Sequence, residues 1–165
     1  MSIDVVIKSV PAMRCATMTR YAPDFGYEAL GPVHALLWPE LLGELARLGV
    51  PLLGPSFATY ADVSDVARAP EGSTIALTGA APIGNATLSS GLLAVVDMPA
   101  IERVATTVYR GLPDGFDAVY TALAQWIDDA GEQIVGYSRE VNVACDDSDK
   151  STWLFELQFE LAPRP

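Results

Sequence analysis

Tyr137-Ser138-Arg139-Glu140-Val141-Asn142-Val143, answered by Leu154-Phe155-Glu156-Leu157-Gln158-Phe159, decides the fold. In both runs polar and apolar residues alternate at the period of two that sends successive side chains to opposite faces of a strand. In the first, Tyr137, Arg139, Val141 and Val143 share one face, and Ser138, Glu140 and Asn142 share the other. In the second, Phe155, Leu157 and Phe159 oppose Glu156, Gln158 and Glu160. Asp146-Asp147-Ser148-Asp149-Lys150 between them is turn material, so the pair reads as an antiparallel hairpin. The expected pairing gathers two carboxylates, Glu140 and Glu156, and two amides, Asn142 and Gln158, on one face. If solvated, that face is an ordinary polar sheet surface. If it lines a cleft, Glu140 and Glu156 are buried acids, and the chain binds something polar or cationic.

Upstream of the hairpin, Phe116, Val119, Tyr120, Leu123, Trp126, Ile127 and Ala130 recur at helical spacing, with Asp114 in position to cap and Gly131 to stop the helix. Leu88 to Val96 and Arg103 to Tyr109 read as extended chain, separated by Met98-Pro99-Ala100. The first half has the same order. Ile3 to Val10 is strand-like, Pro11-Ala12 punctuates it, and Arg14 to Tyr21 is extended. A loop with Pro23, Gly26, Gly31 and Pro32 leads to a leucine-rich helix over Leu36 to Leu48, with Pro39 marking its start or a kink. Ser56 to Val63 and Thr74 to Thr78 read as two further strands.

The halves repeat in residues as well as in pattern. Pro11-Ala12 followed by Cys15-Ala16-Thr17 answers Pro99-Ala100 followed by Val104-Ala105-Thr106, with one residue inserted. Gly49 and Gly54 have the spacing of Gly131 and Gly136, and Ser73-Thr74 answers Ser151-Thr152. Two copies are too few for a solenoid and indicate a duplicated supersecondary unit. The expectation is an α+β fold of two β-α-β-β units, about 1–84 and 85–165. They would form one antiparallel sheet with both helices on one face and a ligand groove where the halves meet.

Composition narrows the function classes. At 165 residues and 50% hydrophobic, the chain fits one domain with a well-buried core. A net charge of −11 argues against nucleic acid and against anionic membrane surfaces, and favours cationic partners by long-range steering. Two distant cysteines, Cys15 and Cys145, make no disulfide framework. The start of the chain lacks a signal-peptide pattern, and no apolar run reaches membrane-spanning length. A soluble cytoplasmic protein is expected. The lone histidine, His34, cannot build a histidine-rich metal site or a redundant catalytic triad, and reads as a helix-start or surface residue. Asp146, Asp147 and Asp149 lack the length and terminal glutamate of a calcium loop. Neither metal nor cofactor is expected.

Met98-Pro99-Ala100 through Val104-Ala105, Tyr120 and Trp126 on a helix, Gly131 to Gly136, Arg139-Glu140-Val141 and Glu156-Leu157-Gln158-Phe159 together resemble the GyrI-like small-molecule-binding domains. These are also the effector-binding domains of AraC-type and MerR-type multidrug regulators. Gly54-Pro55 with Phe57-Ala58-Thr59-Tyr60 and Asp62 looks like the matching turn and strand of the first half. The resemblance implies a pocket with aromatic walls and a buried glutamate that takes bulky, often cationic or aromatic compounds. Carried over, the implied pocket acids are Glu140 and Glu156, with Tyr60, Tyr120, Trp126 and Asn142 beside them. Asn142 stands where a tyrosine is common, and Tyr109-Arg110-Gly111-Leu112-Pro113 replaces the usual histidine-glycine-proline-tyrosine loop.

The resulting expectation is a stand-alone receptor without a DNA-binding module, for sequestration or for effector sensing in transcription regulation. It leaves a homodimer open. Three other readings stand beside it. One is a hydrolase of strained, cyclopropane-type electrophiles with Glu140 or Glu156 as general acid-base. Another is a haem or tetrapyrrole carrier, and the third is a protein-binding inhibitor. Tyr120 and Trp126 equally suit a helix core, and Tyr60 a solvated edge.

Overall fold

The computed structural model of the chain describes residues 1–146 and 149–165; Asp147 and Ser148 of the expected turn lie outside them. In chain order the elements are β1 (Val6–Val10), β2 (Met13–Ala22), α1 (Tyr27–Arg47), β3 (Phe57–Asp62), β4 (Ile75–Pro82), β5 (Ala94–Met98), β6 (Ile101–Arg110), α2 (Phe116–Asp129), β7 (Ile134–Ala144) and β8 (Leu154–Leu161). Single 3-10 turns occupy Pro113–Gly115 and Lys150–Thr152. The architecture is α+β with antiparallel strands, built as a duplicated β-α-β-β unit.

The chain forms two compact units, Met13–Met98 and Met1–Ala12 with Pro99–Pro165. In Met13–Met98 the strands run β3-β4-β2-β5. In the other unit they run β7-β8-β6-β1. The topologies are the same, and in each the strand before the Pro-Ala step pairs with the β-α-β-β set of the opposite half. Thus β1 joins β6 rather than β2, and β5 joins β2 rather than β6. The registers coincide too. Thr17 lies opposite Ala94 and Ala80, and Thr106 lies opposite Val6 and Gln158.

The core of the Met13–Met98 unit packs Leu30, Leu37, Leu41 and Leu45 of α1 on Ala16, Met18, Tyr60, Ile75 and Leu77. Of the leucines expected to make this stripe, Leu36 and Leu42 point to solvent instead. The helix is longer than the sequence suggests. It opens at Tyr27, where the Gly26 carbonyl accepts from the backbone N–H groups of Ala29 and Leu30. Pro32 and Pro39 both lie inside it, so neither marks its start. Each proline removes one helical hydrogen bond, and burial of the leucine face outweighs that loss. Gly79 of β4 lets α1 come close, since a Cβ there would overlap Leu37 and touch Trp38.

In the other unit, Phe116, Val119, Leu123 and Ile127 of α2 are buried at helical spacing, as expected. They meet Ala105, Phe155, Leu157 and Leu161. Asp114 does not cap this helix. It sits in the 3-10 turn, and the N-cap position is Gly115, which offers no side chain. Gly49 and Gly131 each follow a helix end with φ of 69° and 68°, the left-handed stop that the repeat predicted. The strand expected over Leu88 to Val96 begins only at Ala94.

Candidate functional site

The register between β7 and β8 overturns one expectation. Facing residues in an antiparallel pair share a sheet face. Glu140 lies opposite Leu157, Asn142 opposite Phe155, and Arg139 opposite Gln158. Glu140 and Glu156 therefore occupy opposite faces, not one. The reason is an irregularity between Asn142 and Ala144: Ala144 lies opposite Leu154 and Asn142 opposite Phe155, so two residues of β7 span one of β8. A shift of odd length in register sends every side chain beyond it to the other face. Polar Ser138 and Glu140 thereby enter the face that α2 covers.

On that covered face, Glu140 is only 7% exposed. The Tyr120 hydroxyl of α2 donates to its Oε1 at 3.1 Å. Around the pair the rings form a chain of edge-to-face contacts that ends in a tilted one. Phe116 meets Phe155 at 4.9 Å, Tyr109 at 5.5 Å and Tyr120 at 6.0 Å, and Tyr120 meets Phe159 at 5.4 Å. Burial pushes the Tyr120 phenol well above its ordinary pKa, and the Glu140 charge adds to this. Tyr120 is thus a fixed hydrogen-bond donor. Trp126 packs apart from this pair, among Ala105, Leu123, Ile127 and Ile134.

The Met13–Met98 unit carries its own polar inclusion under α1. Tyr60, expected at a site or a solvated edge, is buried, and its hydroxyl lies 2.8 Å from His34 Nε2. Trp38 donates from its indole N–H to His34 Nδ1 at 3.0 Å, and Phe25 packs on Tyr60 at 4.8 Å. An indole N–H only donates, so Nδ1 must carry the lone pair and Nε2 the proton. Burial lowers the His34 pKa to about 4. His34 is therefore a neutral helix residue in a bonded triad, not the helix-start or surface residue expected. The four-residue spacing of His34 and Trp38 was the signal for it.

Glu156 lies on the sheet face away from α2. Its Oε1 is ion-paired with Lys8 of β1, and accepts from Thr106 at 2.7 Å and from Gln158 Nε2 at 2.9 Å. Burial alone would raise its pKa, but these donors outweigh that and hold it below the usual carboxylate range. No group of three or more metal-ligating side chains occurs among the described residues.

No protein-family model and no curated protein matches the chain. Solved structures do. The C-terminal domain of EcmrR aligns with 98% of this chain and 99% of its own, at 20% identity and a TM-score of 0.77. The chain has the GyrI-like fold. In the EcmrR–DNA complex the same likeness covers 96% of this chain and 57% of the EcmrR chain, at 20% identity and a TM-score of 0.76. This chain thus spans little more than half of that regulator's length. SAV2435 bound to tetraphenylphosphonium aligns over 97% of this chain and 94% of its own, at 10% identity and a TM-score of 0.61. A hydrolase from Listeria innocua aligns over 98% and 93%, at 10% identity and a TM-score of 0.60. At these identities the likeness is one of fold.

Proposed function

We propose that this chain is a receptor for small aromatic or cationic molecules, and that Glu140 supplies the anionic contact. The observation that carries this reading is the Glu140 carboxylate, buried beneath α2 and set among Tyr120, Phe116, Phe155 and Phe159. A carboxylate on a covered sheet face is costly, and a hydrophobic side chain of similar volume would hold the fold at least as well. Aromatic walls around a fixed negative charge suit a flat organic cation. Two fold neighbours support the reading: one is the C-terminal domain of a DNA-bound regulator, and the other was solved with a lipophilic cation. Asn142, on the Glu140 face, and Tyr60, in its own unit, are further contact candidates.

The test is titration of a cationic aromatic dye and a neutral dye of the same shape against wild type and Glu140→Gln. The substitution should weaken the cation by about 2–5 kcal/mol, the range for truncating one side of a buried charge pair, and the neutral dye by under about 1 kcal/mol. Equal affinities of a folded variant for the cation would overturn the reading. Duplex DNA at physiological salt should not bind, given the net charge of −11.

A second reading rests on the Tyr120–Glu140 pair itself. A buried carboxylate beside a phenol held protonated has the parts for acid-base hydrolysis of a strained electrophile, and the fold neighbours include a hydrolase. Product formation from a cyclopropane-type compound, abolished by Glu140→Gln, would support it.

A further inference from the structure

The two helices of the duplication bury the same positions and differ on the side they turn outward. Aligned by their glycine stops, Gly49 and Gly131, they match Leu37, Leu41 and Leu45 of α1 to Val119, Leu123 and Ile127 of α2, all buried. Outward, α2 exposes Asp117, Thr121, Gln125 and Asp128, the ordinary polar side of a surface helix. At the same places α1 exposes Ala35, Pro39, Gly43 and Ala46. Beside them Leu36 is 72% exposed and Leu42 39%. The scaffold holds with polar residues at these positions, so packing within the chain does not call for apolar ones.

Charge stands only at the two ends of this face. Glu28 lies in the first turn of α1 and Arg47 in the last, about 29 Å apart along the axis. Between them the exposed residues are uncharged, and Glu40 at the margin is paired with Arg20. The end charges suit the helix dipole, but the dipole does not ask for an uncharged stretch between them. The spacing is also self-complementary. Glu28 and Arg47 are equally far in sequence from the point midway between Leu37 and Trp38. A two-fold axis at that point runs two copies of α1 antiparallel. It sets Leu36 against Pro39, Pro32 against Gly43 and Glu28 against Arg47, each residue of one copy facing the other copy. Nothing of its own chain lies within 4 Å of a Cβ on Gly43, so that place is open to a proline ring. Arg47 is 65% exposed and donates to Glu44 from Nε and Nη2, which leaves Nη1 for a second carboxylate. A parallel pair would instead oppose Glu28 to Glu28 and Arg47 to Arg47.

We propose that the outer face of α1 is an isologous interface, covered by the α1 of a second copy of this chain running antiparallel. The choice of a second copy rests on this charge complementarity. It rests also on the net charge of −11, which disfavours any contact between two copies that sets acid against acid. One helix pair is small for a specific interface, so the dimer exchanges, with a dissociation constant of roughly micromolar order. This goes beyond the receptor reading and holds whether or not Glu140 binds a ligand.

Sedimentation equilibrium of the full chain should show a reversible dimer. Leu36→Arg places a cation of each copy near the centre and should weaken it at least about a hundredfold, while Val66→Arg, away from α1 on a residue 78% exposed, should change it less than about threefold. Glu28→Lys adds two positive charges to a chain at −11 and so eases general repulsion, yet it should weaken the dimer several-fold at low salt by facing Arg47. Glu71→Lys, the same change on an exposed loop, should not. Cross-linking reads the orientation, in a Cys145→Ser background because Cys145 is exposed. Pro32→Cys and Gly43→Cys chains, mixed and mildly oxidised, should join by a disulfide. Neither alone should, since like positions lie about 16 Å apart along the antiparallel pair. Thermal melts check every variant, and should Leu36→Arg unfold, the cross-linking pair, which keeps Leu36, still decides. A chain monomeric well above micromolar concentration, a dimer indifferent to Leu36→Arg, a Glu28→Lys dimer as tight as that of Glu71→Lys, or single-cysteine chains that each link to themselves would overturn the proposal.

Discussion

Replacing Tyr120 by phenylalanine removes one atom from the covered site and tests whether that site is organised around charge. The Tyr120 hydroxyl donates to Glu140 Oε1 at 3.1 Å, and both residues are largely shielded from water. A hydrogen bond to a charged group contributes about 1.5–3 kcal/mol, and a buried acceptor that loses it keeps its full desolvation penalty. Tyr120→Phe should therefore destabilise the fold by about 1.5–3 kcal/mol. For a domain of this size that lowers the melting temperature by roughly 3–12 °C. The rings offer no compensating gain, because the substituted ring would keep the contacts with Phe116 and Phe159.

The magnitude alone does not identify the cause, so the decisive measurement is a double-mutant cycle with Glu140→Leu, followed by urea denaturation. In the Glu140→Leu background the phenol has lost its charged acceptor. Tyr120→Phe should then cost under about 0.5 kcal/mol or even stabilise, since it deletes a buried hydroxyl. The doubly substituted chain should be at least as stable as wild type, as apolar replacements of buried ionic groups often are. An equal cost of Tyr120→Phe in both backgrounds would refute the reasoning. The Tyr120–Glu140 contact would then be incidental to packing.

Three further outcomes follow from the geometry. His34 has its pKa lowered by burial to about 4, so it contributes stability above pH 6.5 that is lost as pH falls from 6.5 toward 4; the depression corresponds to roughly 3 kcal/mol, and His34→Asn should flatten stability measured across that window. Glu132, held near pKa 2 by hydrogen bonds from Arg103 and Arg164, contributes stability that is lost only as pH falls from 4.5 toward 2, so Glu132→Gln should remove that lower step in a pH series and leave the His34 window unchanged. A Cβ on Gly115 would overlap the Tyr109 hydroxyl, so Gly115→Ala should cost about 1–3 kcal/mol in a thermal or urea melt by forcing the Tyr109 ring off Phe116, whereas Gly43→Ala, which meets nothing, should not.

What the sequence made legible was whatever local pattern determines. The strand pair 137–143 and 154–159, the stripe of α2 and the glycine stops at Gly49 and Gly131 all repeat at short range, and all are present. The start of α1 was hidden because Gly31 and Pro32 read as loop, while the leucine face that overrides them is buried only through tertiary packing. The site was legible in its residues but not in its arrangement. Alternation gave the parity of each strand correctly, yet parity within a strand does not fix which faces of two strands coincide. The one-residue irregularity between Asn142 and Ala144 decided that, and so separated Glu140 from Glu156.

The two halves show which positions answer to the fold and which to chemistry. Matched by register, Ala16 and Ala105 are both fully buried under a helix, and Thr17 and Thr106 hold the same place on the opposite face. These residues are the same in both copies because the packing is the same. The same registers match Tyr60 to Asn142, Ala58 to Glu140, Val96 to Lys8 and Thr78 to Glu156. Each of these pairs changes polarity or size while the strands keep their pairing. A scaffold that tolerates alanine at one copy has no structural reason to hold a buried carboxylate at the other, and burying it costs stability. On the proposed reading, Glu140 beneath α2 marks a position where stability has been given up for recognition.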